Sequence, residues 1–469
     1  MSKIEVDAID KQSGSTLTLG GSGTAVTLAC GATQSGFGRT GTVDWQTSIK
    51  TSTITAVNGE GYFVNTTGGA ITANLPAGVV GAIVSFKDYA QTFDTNALTI
   101  AANGSEKIEG QTFDLKLNTE GLGVTLVYGD ATKGWQAVNS NEIVNVQKFV
   151  TATGGTVTCS GDFKIHTFTG PGTFSVSCAG NAQGSDTVSY TVIAGGGGGG
   201  GSNAPPGSPY GAGGGGGAGG FRESKSPVDS YTASPLATTA GLPVNSQSYP
   251  ITVGAAGSAG PAFDRGGNGN SSTFSTITAA GGGGGGSRNI PTGPGLNGGS
   301  GGGGGSSQPS PAPSPTNAGG LGNTPSTTPA QGFPGGVGSN APYCANGANA
   351  GGGGGATAVG VSAVQAKGGN GGAGATTSIN ATPTARAGGG GGGAYICGSS
   401  GTAGSGTGGT GGGAPGGQSA GSTSSEPGSA ATVNTGGGGG GGSTTGPDNG
   451  PSTGGAGGSG IVIIRYKFQ

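Results

Sequence analysis

The sequence predicts an all-β protein in which N-terminal β-modules precede a β-sandwich that frames a slab of packed polyglycine-II helices. Glycine supplies 117 of the 469 residues and only 8% of the residues are charged, against roughly 7% glycine and about 25% charge in ordinary proteins. Most of the glycine-rich chain is organised around seven uninterrupted glycine blocks. Two segments rich in Val, Ile and Tyr bracket these blocks, TVSYTVIA (187–194) and IVIIRYKF (461–468), and such segments are typical of β-strands.

Residues 1–41 form the first predicted region. The opening MSKIEVDAIDK is charged and lacks the apolar core of a signal peptide, and no apolar run approaches the roughly 20 residues that span a membrane. We therefore expect synthesis in a cytoplasm and no membrane insertion. Residues 14–38 repeat short strands and glycine turns. Strands of this length cannot bury themselves within one chain, so we expect three chains to intertwine as a homotrimer.

Residues 42–145 have the composition of a small all-β domain, and roughly 100 residues is a normal domain size. Thr and Val dominate, and Gly, Asn and Asp occupy most of the joints between strands. The predicted strands are SIKTSTITAV, GYFVNTT, ITANLPA, AIVSFKDY, ALTIAA, EKIEG, DLKLN, VTLVYG and GWQAV.

Residues 146–469 form the glycine-rich domain, with a β frame predicted at 146–194 and 461–469. Its strands are expected in KFVTAT, TVTCS, FKIHTFT, GTFSVSC, TVSYTVIA and IVIIRYKF. We expect the last two to lie in one sheet with the glycine chain looped out between them. An alternating pattern further along indicates core positions at Tyr249, Ile251, Val253, Phe274 and Ile277.

Residues 195–460 carry the glycine blocks, numbered 1 to 7 in chain order: 195–201, 213–217, 281–286, 301–305, 351–355, 388–393 and 436–442. Composition alone predicts disorder, because glycine loses the most backbone entropy on ordering and buries no side chain. An ordered state needs backbone hydrogen bonds in place of a hydrophobic core. Polyproline-II-type helices have three residues per turn and no internal hydrogen bonds, so bare ones can bond laterally. Collagen is excluded because a strict Gly-X-Y period is missing.

The glycine-rich domain contains, in order, HTFTGPGTFSVSCAG, VSYTVIAGGGGGGG, YPITVGAAGSAG, STFSTITAAGGGGGG and GGSGIVIIRYKF. This order of motifs resembles the glycine-rich domain at the ends of many bacteriophage tail-fibre proteins. The segments GYFVNTTGGAITANLPAG, IVSFKD and TLVY are similar to a β-module common in phage fibre and tail proteins. The resemblance implies a virion fibre, often trimeric, whose distal end touches the host.

The glycine blocks are also similar to those of the separate adhesins at tail-fibre tips. In that family polyglycine-II helices pack into a sandwich, and loops at its end carry host range. This chain departs from the adhesins because it has N-terminal β-modules of its own. The resemblance therefore implies the packing arrangement, while loop-by-loop binding roles do not transfer.

The inserts between the glycine blocks carry the candidate receptor-binding residues, because loops on rigid scaffolds and aromatic side chains are common contact groups. An alternative for each candidate is that it plugs an end of the slab or contacts a neighbouring subunit. The candidates are Tyr210, Phe221, Arg222, Tyr231, Arg288, Ile290, Phe333, Tyr343, Tyr395 and Ile396.

Together these features predict a phage tail-fibre or appendage protein, a virion component assembled in the host cytoplasm. Its N-terminus would attach to other tail or fibre proteins, and its distal loops would bind a surface polysaccharide or an outer-membrane protein of the host. The alternative is a purely structural fibre, decoration or filament subunit that binds no receptor.

Catalytic, metal and cofactor chemistry is not expected. The single histidine, His166, lies in a strand-like segment, and the G-x-S-x-G match at 298–302 lacks the flanking strand and helix. No two of the cysteines have C-x-x-C spacing, so a zinc site is not expected. We expect the thiols to be reduced in a cytoplasm. The cysteines are Cys30, Cys159, Cys178, Cys344 and Cys397. The net charge of −2 without a basic stripe excludes typical nucleic-acid binding.

Overall fold

The computed structural model describes residues 43–138, 148–182, 184–202, 211–288, 293–306, 317–339, 348–364, 367–396, 404–420, 425–444 and 450–469. Within these ranges the regular structure consists of 27 strands without any α-helix, which confirms the predicted all-β class. Accordingly, no helix of these ranges has the length and apolarity needed to cross a membrane. The chain divides into two compact units, Met1–Asn145 and Val146–Gln469.

The strands of the first unit form two sheets, between which the first six strands alternate. They are β1 Asp44–Trp45, β2 Ile54–Thr55, β3 Glu60–Val64, β4 Ile71–Asn74, β5 Ile83–Asp88, β6 Leu98–Ala101, β7 Leu115–Leu117, β8 Gly123–Asp130 and β9 Gly134–Ala137. One sheet has the order β1-β3-β5-β8-β9 and the other β2-β4-β6-β7. Since β1, β3 and β5 are parallel, as are β2, β4 and β6, the chain winds in successive turns from one sheet to the other.

Aromatic and aliphatic side chains fill the first unit, because alternate residues of its strands point inward. Phe86, Phe93, Leu98, Leu126 and Trp135 are fully buried. The predicted strand EKIEG (106–110) is wrong. Its last two residues adopt left-handed backbone conformations, with φ of 53° at Glu109 and 78° at Gly110, and therefore form a turn.

The second unit contains the frame and the glycine array. Its strands are β10 Val150–Thr153, β11 Thr156–Ser160, β12 Phe163–Phe168, β13 Gly172–Ala179, β14 Thr187–Ile193, β15 Gly211–Ala212, β16 Phe221–Ser224, β17 Ala237–Thr238, β18 Leu242–Pro243, β19 Ser248–Thr252, β20 Ser272–Phe274, β21 Ile277–Ala279, β22 Ala375–Thr377, β23 Thr384–Arg386, β24 Ala394–Ile396, β25 Gln418–Ala420, β26 Ser443–Thr444 and β27 Ile461–Lys467. A five-stranded sheet has the order β10-β13-β19-β20-β21. A second sheet has the order β11-β12-β27-β14-β16-β17, with β18 paired to β14.

The two frame sheets enclose one apolar core. Phe174, Tyr249, Ile251 and Phe274 from the five-stranded sheet share a buried cluster with Ile464 and other residues of the second sheet. The predicted core positions Tyr249, Ile251, Val253 and Phe274 are buried, and Ile277 packs against them while partly exposed. The strands β14 and β27 pair antiparallel along their length, which confirms that the segments bracketing the glycine chain lie in one sheet.

His166, on β12, is buried in this core. Its Nδ1 donates to the carbonyl oxygen of Gly154 at 2.7 Å, which leaves Nε2 to accept a hydrogen bond from the Tyr466 hydroxyl at 3.1 Å. Burial lowers the pKa of His166, and the nearby charge of Lys164 lowers it further, against the opposing effect of the bond to Gly154. The imidazole is therefore held in its neutral form.

Block 2 lies at the centre of the glycine array. Its successive N–H groups donate in turn to blocks 7, 3 and 5, with N···O distances of 2.8–3.0 Å and a repeat of three residues (Gly213 to Gly442, Gly214 to Gly286, Gly215 to Gly351, Gly216 to Gly439, Gly217 to Gly283, Ala218 to Gly354). Its carbonyl groups accept from blocks 1, 4 and 6 with the same repeat (Gly200 to Gly214, Gly303 to Gly215, Gly390 to Gly216, Gly197 to Gly217). A repeat of three equals the number of residues per turn of a polyproline-II-type helix.

The six other blocks form a closed ring around block 2. Neighbours in the ring follow the order 1, 3, 4, 5, 6, 7 and are bonded to each other (Gly282 to Gly195, Gly286 to Gly303, Gly351 to Gly304, Gly353 to Gly390, Gly438 to Gly388, Gly439 to Gly197). Partners that accept hydrogen bonds from block 2 alternate around the ring with partners that donate to it. Mixed glycine-containing segments bond to the outside of the ring, in 254–270, 293–298, 317–322, 331–339, 358–364, 367–374, 404–417, 425–432 and 450–460.

The array leaves no room for side chains between its segments. A Cβ atom at Gly215 would lie 2.1 Å from the carbonyl oxygen of Gly390, and one at Gly390 would lie 2.0 Å from that of Gly439. Real Cβ atoms essentially never approach another heavy atom within 3.0 Å. The glycine blocks are therefore required by the close approach of neighbouring backbones.

A matched pair of alanine substitutions tests this packing. Gly390→Ala should lower the free energy of unfolding by about 3 kcal/mol, because the new methyl group overpacks a site bounded by backbone. Gly170→Ala is the control, since a Cβ there meets nothing within 4 Å, and its effect should stay within about 0.5 kcal/mol. Thermal and urea unfolding of both variants measure the difference. Equal stability of the two variants would contradict the packing.

Acid should destabilise the frame through His166. The unfolded chain protonates histidine near a pKa of about 6.5, whereas the folded-state pKa is lower. The unfolded state therefore binds the proton first, and stability falls as the pH drops from about 6.5 towards the folded-state pKa, by at most about 1.4 kcal/mol per pH unit.

His166→Gln is the matched variant for this test, because the amide can donate to Gly154 and accept from Tyr466 without titrating. Urea unfolding at about pH 7.5 and about pH 5 should show a larger loss of stability for the wild type than for the variant. Identical losses would mean that His166 is not held neutral.

Candidate functional site

At one end of the array, hydrogen bonds pair several residues that stand at the ends of the described ranges. Ser202 pairs with Ser452, Gly211 with Thr444, and Asn349 with Ala394. We call this the loop end. The frame lies at the opposite end, where block 1 follows β14 directly and residues 450–460 lead into β27. Several consecutive segments of the array therefore end and begin at the loop end.

Short polar side chains close the loop end. The Ser306 hydroxyl accepts from the N–H of Ala212 at 2.9 Å and donates to the carbonyl oxygen of Ala212 at 3.2 Å. The Ser339 hydroxyl makes the same two bonds with Asn349, at 2.9 and 3.0 Å. The Ser443 hydroxyl donates to the carbonyl oxygen of Ala394 at 2.7 Å. These bonds satisfy backbone groups at the last turn of the segments and fix the positions from which the inserts depart.

Candidates near the loop end differ in exposure. Arg288 follows block 3 and is half-buried. Tyr395 lies on β24, which pairs in parallel with β25, and its side chain is only 3% exposed. Its burial favours the alternative that this ring packs inside the chain, and a role for it in receptor binding stays a prediction. Ile396 is the last residue of β24. Tyr210, Ile290 and Tyr343 lie outside the described residues and stay predictions.

Four candidates lie towards the frame, away from the loop end. Phe221 and Arg222 are on β16, which pairs with β14. Phe221 is 1% exposed and Tyr231 is 7% exposed, and both belong to a second buried cluster together with Ile463. Their burial favours the alternative that they pack inside this chain, in the core where the array meets the frame, and a role in receptor binding stays a prediction. Phe333 is half-buried, and its backbone bonds to blocks 4 and 5.

A buried charged cluster explains why Tyr231 is held at the frame. Its hydroxyl donates to the Glu223 carboxylate at 3.0 Å, and the Thr377 hydroxyl donates to the same carboxylate at 2.5 Å. Arg465 Nε donates to both oxygens of Asp229, at 2.9 and 3.1 Å. Burial raises the pKa of Tyr231, and the negative charge of Glu223 raises it further. The cluster ties β16, β22 and β27 together and serves the junction between array and frame.

Phe263 is not among the candidates and lies at a turn within the outer segment 254–270. Its side chain is 44% exposed and its φ is 69°, a left-handed conformation. The turn lies at the loop end, because the Ser287 hydroxyl donates to the carbonyl oxygen of Phe263 and the N–H of Gly201 donates to that of Asp264. The sequence signal was an aromatic residue followed by two charged ones in PAFDR (261–265), within an otherwise small and polar insert.

The remaining chemistry-bearing groups form no cluster in the part of the chain that is described. Among these residues, no group of three or more His, Cys, Asp and Glu side chains could hold a metal ion. Cys159 on β11 is exposed and Cys178 on β13 is partly exposed, and both are free thiols. The two belong to different sheets. Cys30, Cys344 and Cys397 lie outside the described residues.

Comparison with known proteins gives two findings. A family model described as a glycine-rich domain matches residues 167–467. The chain is also similar to the baseplate wedge protein gp10 of Enterobacteria phage T4, with 31% identity over 104 residues. That similarity covers 21% of this chain and spans only 17% of the phage T4 protein.

Proposed function

Because this chain belongs to the glycine-rich domain family, which matches most of its length, we propose that it is a bacteriophage virion appendage that adheres to the host cell surface through the loop end of its array. The observation that carries the proposal is the hydrogen-bonded array itself, which holds the chain ends of many inserts at one face. Loops fixed on a rigid support are the usual site of recognition.

A virion role is supported by the similarity to a phage baseplate protein and by the resemblance of the motif order to phage tail fibres. A tail fibre is the appendage that best fits a protein with N-terminal β-modules and a distal glycine-rich domain. We propose attachment to other tail or fibre proteins through the N-terminus. A homotrimeric assembly would present several loop ends together, so weak single contacts would gain from a high effective concentration.

We attribute the rigidity of the support to packed polyglycine-II helices. The three-residue repeat of the hydrogen bonds around block 2 supports this, since each face of a threefold helix meets a different neighbour. Six neighbours around one segment are the number expected for parallel rods in hexagonal packing. The absence of room for a Cβ atom supports the same arrangement.

A purely structural appendage is the second candidate. The burial of Phe221, Tyr231 and Tyr395 favours it, because three of the aromatic candidates serve the interior of this chain. In that role the array would stiffen the particle and bind no receptor.

Competition for adsorption separates the two functions. Purified chain, added to host cells before the phage that carries it, should slow phage adsorption by about tenfold or more at saturation, because adhesin and particle share a receptor. The Gly390→Ala variant is the control, since its damaged array should compete poorly. If the wild-type chain does not compete, while antibody labelling still finds it on intact particles, the structural role replaces the adhesin.

A further inference from the structure

We propose that one side of the array is a surface through which two copies of this chain associate. This side is formed by three outer segments, 317–322, 331–339 and 358–364, and we call it the apolar flank. The inference goes beyond the proposed function, because it concerns contacts along the side of the array rather than receptor binding at the loop end.

The three segments of the apolar flank lie side by side. Two hydrogen bonds join the first segment to the second and two join the second to the third, with N···O distances of 2.8–3.0 Å (Gly335 to Gly320, Gly338 to Asn317, Gly360 to Pro334, Ala363 to Val337). Blocks 4 and 5 support them from behind (Gly320 to Gly302, Gly336 to Gly352). The apolar flank is therefore one continuous side of the array.

Exposed aliphatic side chains cover the apolar flank. Val361 and Val364 are three residues apart, as are the exposed residues Pro334 and Val337, and this spacing places side chains on the same side of a threefold helix. The aliphatic groups thus form rows along neighbouring segments. The exposed members are Leu321, Val337, Val359, Val361 and Val364, with exposed fractions of 62%, 47%, 53%, 49% and 59%.

Other outer segments of the array have a different composition. The exposed residues of 404–417, 425–432 and 450–460 are Ser, Thr, Ala, Pro and Glu. By contrast, the three segments of the apolar flank contain no Asp, Glu, Lys or Arg. A contiguous patch of exposed apolar side chains marks an interaction site, and depletion of charge is typical of the centre of protein interfaces.

The charge and the regular spacing of the apolar flank suit a second copy of the same chain. Two identical surfaces repel each other when they carry a net charge, and the segments of this flank carry none. Rows with the same spacing can interlock about a twofold axis, where the same patch serves both partners.

The area of the apolar flank also favours a copy over a protein that arrives from solution. Five side chains that are about half exposed present on the order of 200 Å² of apolar surface, whereas a stable complex buries about 800 Å² on each partner. The pairing is therefore weak and reversible. Copies on one particle meet at a millimolar effective concentration, at which weak pairing suffices. This last step rests on the proposed function, which places several copies on one particle.

Replacing one exposed aliphatic side chain by a carboxylate tests the pairing. Val361→Asp should weaken association by about tenfold or more, because it brings like charges into the contact. Val337→Asp, on the neighbouring segment, should act in the same way. Val433→Asp is the matched control, because Val433 is 66% exposed in the turn before block 7, which lies opposite block 4 in the ring. All three side chains are exposed, so the melting temperatures should match that of the wild type.

Sedimentation equilibrium of the full chain gives the average mass between about 1 μM and about 0.5 mM, a range that includes the expected dissociation constant of about 0.1 mM. The masses of the wild type and Val433→Asp should rise with concentration, by up to about twofold. Those of Val361→Asp and Val337→Asp should rise far less.

Equal masses of the wild type and Val361→Asp at every concentration would overturn the proposal, as would an equal loss of association in Val433→Asp. The adsorption competition tests the proposed function separately. A wild-type chain that associates through the apolar flank but does not compete for adsorption keeps this inference and removes the adhesin role. A chain that competes but does not associate does the reverse.

Discussion

Lateral hydrogen bonding between bare backbone segments is the interaction on which the second unit depends. Each segment lacks the side chains that would form a hydrophobic core, and ordering glycine carries the largest loss of backbone entropy. Block 2 offsets this by donating on three sides and accepting on three others, so its N–H and C=O groups from residue 213 to 218 find partners at 2.8–3.0 Å. The same closeness excludes Cβ atoms, so the hydrogen bonds and the glycine composition require each other.

The frame and the loop end follow from this constraint. The glycine segments carry no side chains that could close the ends of the array. At one end, β14 and β27 close it with an apolar core and with a buried ion pair between Arg465 and Asp229. Serine hydroxyl groups close the other end by bonding to the last backbone groups of the segments. The turn at Phe263, whose φ of 69° is left-handed, is held at the loop end by bonds to the array.

The sequence predicts the frame well and the array only in outline. β14 and β27 are continuous runs of β-branched and aromatic residues, so the sequence predicts them as strands. The alternating pattern around Tyr249 and Ile251 likewise predicts that these two residues are buried. The sequence does not predict which blocks bond to each other, because every block has the same composition. No side chain distinguishes one neighbouring block, or one alignment of two blocks, from another. Phe221 and Tyr231 could not be assigned to the core, since their insert pairs with a strand that is distant in sequence. The φ of Phe263 is likewise a consequence of the packing of the segments on either side of it.

The most direct measurement is hydrogen exchange of glycine amides after selective labelling of glycine with ¹⁵N. Amides bonded inside the array exchange only when segments separate, so a large set of glycine signals should persist for hours in D₂O, long after exposed amides have exchanged. The signals that persist should include those of block 2, identified by sequential assignment of a chain labelled uniformly with ¹³C and ¹⁵N. Disappearance of nearly all glycine signals within the first spectra would contradict an array held together by its own backbone.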